Sequence, residues 1–196
     1  MELFDIENMI VTLGYLGIFL MMITNGITSF PSSQVLYIIA GYFIFTGDLF
    51  LPAVIITGTI GNTIGCIILY ELTRRKGLKY ISKFKLFPEK EVKKITVALR
   101  KKGVWFLFIG KLLPAIKVFV PIAAGVGKTR RDVYAILMLV SSALWTIPFI
   151  SIGFFFGKSS DVFGTYAIIL AIVALIVGGL FYKYINSKEV LDEIEK

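Results

Sequence analysis

Gly110 to Gly125 reads GKLLPAIKVFVPIAAG, two lysines and two prolines set in sequence otherwise apolar enough for a membrane interior. An ammonium group is costly there unless it faces a protein-lined cavity or an anion, so Lys111 and Lys117 are the first candidate functional residues. Pro114 and Pro121 interrupt the apolar run 104–126 and leave limbs of about ten residues, each reaching roughly half way across a hydrocarbon core. The stretch therefore reads as a re-entrant hairpin, which is tolerated at depth only where protein or a water-filled cavity shields its backbone. Six positions apart on an unbroken helix, the two lysines would point about 120° away from each other; a break at Pro114 lets them converge.

The rest of the chain fits that reading. Of its 196 residues 57% are hydrophobic and 17% charged, with a mean hydropathy of +0.83, too apolar for a soluble domain of this size. Apolar runs at 51–73, 133–156 and 163–183 are long enough to cross, and 9–46, broken near Pro31, reads as a counterpart of the 104–126 hairpin. The limb 9–29 alone could also span. Ala40-Gly41 and Ala124-Gly125 each follow a proline by about ten residues, and a cation stands 33 positions after each glycine, at Arg74 and at Lys158. The expected architecture is all-α: one membrane domain, 1–196, built from two inverted repeats (9–73 and 104–157), each a re-entrant hairpin plus a transmembrane helix. A basic linker, 74–102, joins them, and one extra transmembrane helix, 163–183, closes the chain. Inverted repeats place transporter sites at the midplane between broken helices.

Charge sets the orientation. The net charge of +8 is unevenly spread: residues 1–73 carry no Lys or Arg, whereas 74–102 carry twelve of the 21. Such a bias marks topology rather than nucleic-acid binding; it predicts a cytoplasmic linker and C-terminus and an outside N-terminus. From Pro88 the linker reads as a helix with apolar residues three to four apart, expected on the inner leaflet surface. No Lys or Arg precedes the first apolar run, only Glu2, Asp5 and Glu7, which reads against a removable signal peptide. With no histidine and Cys66 as the only cysteine, Ser/His/Asp catalysis, His-ligated zinc and an internal disulfide are excluded. No enzyme activity, metal or cofactor is expected.

These residues resemble the DedA membrane proteins, which share a domain with the eukaryotic VTT lipid scramblases. The family's second-half pattern, G-R-F-x-P-x-x-R followed by an apolar stretch and A-G, stands here as Gly110-Lys111-Leu112-Leu113-Pro114-Ala115-Ile116-Lys117 and Ala124-Gly125. Gly14-Tyr15-Leu16-Gly17, Pro31, Ala40-Gly41, Gly47-Asp48-Leu49, Gly61, Gly65, Tyr70, Arg74, Gly77, Trp145, Gly153 and Gly157 also fit, over about residues 14–158. Both family arginines are lysines here, which keeps charge and gives up the planar fork that grips phosphate bidentately. Gln34 stands where many members carry an acid. Glu71, one turn from Arg74 and Arg75, reads as a helix-end ion pair rather than a proton carrier.

The resemblance implies translocation of a lipid across a prokaryotic plasma membrane, with undecaprenyl phosphate and phosphatidylethanolamine as substrate classes. The residues themselves point to an anionic headgroup. Lys111 and Lys117, with Pro114 shaping the turn, would bind a phosphate, and Ser32, Ser33 and Gln34 at the tip of the first hairpin would add neutral hydrogen bonds. Arg74 joins this candidate set through its place in the family pattern. Asn25, Asn62 and Thr63 read as interhelical hydrogen-bonding groups. The alternative, a proton- or ion-coupled exchanger, needs a titratable acid in the pathway, and the sequence scarcely offers one.

Overall fold

A computed structural model describes residues 2–81, 87–113, 116–158 and separate positions between 172 and 192; among them there are helices and turns and no strand. The order is α1 (Glu2–Thr28), α2 (Ser33–Thr46), α3 (Leu51–Lys76), α4 (Leu78–Ile81), α5 (Glu89–Lys102), α6 (Val104–Lys111), α7 (Phe119–Val126) and α8 (Arg131–Lys158). α3 and α8 are long and apolar enough to cross a membrane. α3 also leaves Ile56, Ile60, Ile64 and Ile68 exposed at four-residue spacing, one apolar stripe along the helix. The expected C-terminal helix, 163–183, falls largely outside the described residues, as does Pro114.

The chain forms two compact units, residues 1–65 with 142–169 and residues 66–141 with 170–196, so α3 and α8 contribute to both. In the first unit α2 ends at Gly47, whose φ of 89° only glycine adopts freely and whose N–H reaches the carbonyls of Phe43 and Ile44. The core here is Ile18, Met22, Tyr37, Ala40, Val54 and Ile150. α2 and α8 touch backbone to backbone. A methyl group on Gly41 would collide with the Ile150 carbonyl, and one on Gly153 with that of Ile38. The reversal between α1 and α2 is tied by Asn25, whose Nδ2 donates to the Pro31 carbonyl at 2.6 Å. Asn62 Nδ2 donates to Asn25 Oδ1 at 3.0 Å, and Ser142 Oγ donates to Asn62 Oδ1 at 3.0 Å, so the expected interhelical roles of both asparagines are present. Thr63 is buried too, but its hydroxyl finds no hydrogen-bond partner among the described residues.

In the second unit α5 starts at Pro88 with Glu89 and Glu91 in its first turn and ends with Arg100, Lys101 and Lys102 before Gly103. Acids at the N-terminus and bases at the C-terminus complement the helix dipole. Its apolar face does not lie on lipid as the sequence suggested: Val92, Ile95, Ala98 and Leu99 are buried, in clusters shared with Phe106, Leu107, Ile122, Ala123 and Ala124. The amphipathic pattern is thus satisfied by the α6–α7 hairpin instead of a leaflet surface. Pro121 likewise departs from expectation, since it sits in the first turn of α7, where a missing N–H costs little, and does not break the helix.

Candidate functional site

α6 stops at Lys111 and α7 begins at Phe119, two eight-residue helices whose connection is described at 112–113 and 116–118. The Leu113 carbonyl accepts from the backbone N–H groups of Ile116 and Lys117, at 3.1 and 2.9 Å, and so shapes the reversal. Each helix is about 12 Å long, too short to cross a hydrocarbon core. Both lysines are interior: Lys111 is 5% and Lys117 7% exposed, and Leu107, Leu113, Ile116 and Val120 of the same segment are buried too. Lys111 Nζ donates to the Cys66 thiol at 3.0 Å. Lys117 is within electrostatic range of both Lys111 and Cys66. Two buried like charges thus act on each other, an arrangement that an anion held between them would stabilise.

α3 and α8 hold Cys66 in place. Tyr134 donates its hydroxyl to the Cys66 carbonyl at 3.2 Å and stacks on Tyr70, with ring centroids 4.2 Å apart. Tyr70 in turn donates to the Thr129 carbonyl at 2.5 Å. Arg74 Nη1 donates to both the Tyr70 hydroxyl and the Thr129 carbonyl, each at 2.7 Å. Arg74 therefore sits two turns along α3 from Cys66, tied to the loop before α8. Glu71 pairs with Arg75 at 3.3 Å, as its helix-end spacing suggested, and more closely with Arg131 at 2.6 Å, which the spacing did not suggest; Arg74 is not its partner.

The remaining candidates lie in the first unit. Ser33 is buried and its Oγ accepts from the Trp145 indole at 3.1 Å; Ser32 is exposed and donates to Gln34 Oε1 at 2.9 Å. Sequence reasoning did not anticipate Cys66 as the neighbour of Lys111, nor the Tyr70–Tyr134 stack. A lone cysteine in an apolar run carries no signal of the face it occupies.

Against this geometry, residues 30–155 match the VTT domain family, well over half of the chain. The chain belongs to that family, the DedA-type membrane proteins. It is 30% identical over 152 residues to a protein of Bacillus subtilis named uncharacterized membrane protein YbfM, covering 76% of this chain and 93% of that one. Undecaprenyl phosphate transporter A of Staphylococcus aureus is 26% identical over 199 residues, covering 94% and 97% of the two chains. Protein DedA of Escherichia coli K12 is 25% identical over 135 residues, 67% of this chain and 62% of its own. No solved structure matches the chain. The VTT-domain chain is thus a membrane protein.

Proposed function

We propose that this DedA-type protein moves a phosphate-headed lipid, of the undecaprenyl phosphate or phosphatidylethanolamine class, between leaflets of a bacterial plasma membrane, with Lys111 and Lys117 holding the phosphate. The observation that carries the reading is the burial of both ammonium groups around one short turn. Moving a phosphate through hydrocarbon is prohibitive unless its charge is compensated, and two lysines do that while the tails stay in lipid. No covalent step is needed. Ser32 and Gln34 are proposed as neutral contacts for the headgroup, and Arg74 as the residue that fixes the loop beside the second hairpin.

The re-entrant, inverted-repeat architecture belongs to this proposal, and a matching pattern of contacts supports it. Gly41 of α2 packs on the backbone of Ile150 and Phe154 in α8; Gly125 of α7 packs on the backbone of Tyr70 and Arg74 in α3. Gly41 and Gly125 are 84 positions apart, and the carbonyls they pack on, Ile150 and Tyr70, are 80 apart, one helical turn off that spacing. Each hairpin glycine thus meets the long helix of the opposite half within one turn of the equivalent position.

An exchanger is the second reading, and one observation weighs against it: no Asp or Glu is buried among the described residues. Native mass spectrometry of the purified protein tests the lipid reading. The expected result is a co-purified phosphate-headed lipid that is lost in Lys117→Met; a wild-type protein carrying only lipids without a phosphate contradicts it.

A further inference from the structure

A second basic feature lies at the surface of the 66–141 unit, away from the buried lysines. Where α5 ends and α6 begins, Gly103 takes a φ of 70° and a methyl group there would meet nothing within 4 Å. Facing this turn is the loop from Gly127 to Arg130. Between them is a cavity of about 260 Å³ whose floor is apolar, from Leu99, Val104 and Val133, and whose polar side chains include Arg100 and Arg130. The walls are preformed. Leu99 is buried with α7, and the Thr129 carbonyl is held by both Tyr70 and Arg74.

The surroundings define the chemistry. Lys101, Lys102, Lys128 and Arg131 stand beside the two arginines in sequence. The Arg130 pairing with Asp132, at 2.7 Å, is exposed on both sides, and such pairs contribute little. Trp105, 70% exposed, and Ile109, one turn on and also exposed, continue the apolar surface along α6. An apolar floor, guanidinium groups at the rim and an exposed indole are what the headgroup boundary of a bilayer selects. At this volume the cavity is smaller than pockets that engulf a whole ligand; it suits a headgroup and the first part of its chains.

We propose that this cavity is a binding site for an anionic diacyl phospholipid, such as phosphatidylglycerol, taken from the leaflet on the basic side. Arg100 and Arg130 grip the phosphate, which they can do bidentately. The glycerol and upper acyl chains rest on Leu99, Val104 and Val133 and pass out along Trp105 and Ile109. The bound lipid is a resident of the surface, distinct from any lipid held by Lys111 and Lys117.

The test uses the full chain in detergent, titrated with phosphatidylglycerol or phosphatidylcholine and followed by native mass spectrometry. Wild type is expected to retain phosphatidylglycerol at least tenfold better than phosphatidylcholine, and R100Q/R130Q to lose that preference. Val133→Trp, which fills the cavity and keeps every charge, is expected to lose it as well. In a Trp145→Phe chain with the cavity intact, phosphatidylglycerol brominated on its upper chain should quench Trp105 more strongly than the brominated choline lipid. Equal retention of the two lipids, full retention by Val133→Trp, or equal quenching would each overturn the site and leave only a diffuse basic surface.

Discussion

At the residue scale the proposal rests on two ammonium groups whose positions marked them as candidates in the sequence, while their burial is a finding of the structure. Lysine inside apolar sequence either reaches an interface or serves an interior site, and Lys111 and Lys117 at 5% and 7% exposure are interior. Removing one member of a buried charged set typically costs about 3 to 5 kcal/mol, roughly a hundredfold or more in affinity. Lys117→Met, which keeps much of the stem volume, should therefore weaken binding of a phosphate-headed lipid by about two orders of magnitude, measured as lipid retained by the folded, inserted protein. Arginine at either position should match or exceed wild type, because it restores the planar fork. Gln34→Glu should weaken retention at neutral pH if residue 34 contacts the headgroup, and unchanged retention would remove Gln34 from the site. Cys66 was not legible. Its role as acceptor from Lys111 follows from the rotation of α3, which neither charge nor periodicity in that apolar stretch reveals.

Among the elements, the clearest signals were breaks. Pro31 and Gly47 bracket α2, and the part of the 9–46 run that follows the break near Pro31 is the helix Ser33–Thr46. The helix after Pro88 was equally plain from its acids, bases and apolar spacing, yet the surface it covers was not. An amphipathic face reports that something apolar covers it, and either a leaflet or a protein hairpin satisfies the same pattern. The packing of α5 on α7 makes Ile95, 2% exposed, a core residue. Ile95→Ala should cost about 2 to 5 kcal/mol, seen as a lower thermal midpoint in detergent, whereas a side chain resting on lipid would show little change there. Pro121 misled for a related reason: proline interrupts a helix interior but suits a first turn, and only the start of α7 at Phe119 distinguishes the two. Gly41→Leu should disrupt the contact of α2 with the α8 backbone by about 1 to 3 kcal/mol or more, read in the same melt.

For the whole molecule, the charge asymmetry and the two long apolar helices were enough to read a polytopic membrane protein, and the VTT-domain match places it among the DedA-type proteins. The orientation makes its own prediction. Cysteines placed at the exposed positions Lys101 and Lys183 should resist an impermeant thiol reagent added outside intact cells, and one at Thr46 should react; native Cys66 is fully buried and stays silent. The substrate was legible only as a chemical class, because a lysine pair specifies an anion and carries no information about the tails. Translocation in proteoliposomes tests the central claim most directly: purified protein is reconstituted with a fluorescent phosphate-headed lipid, and its leaflet is read by an impermeant quencher. Movement is predicted for wild type without a pH gradient, faster than in empty liposomes, and its loss in the Lys111→Met, Lys117→Met double variant. Movement at the wild-type rate in that variant would contradict the account.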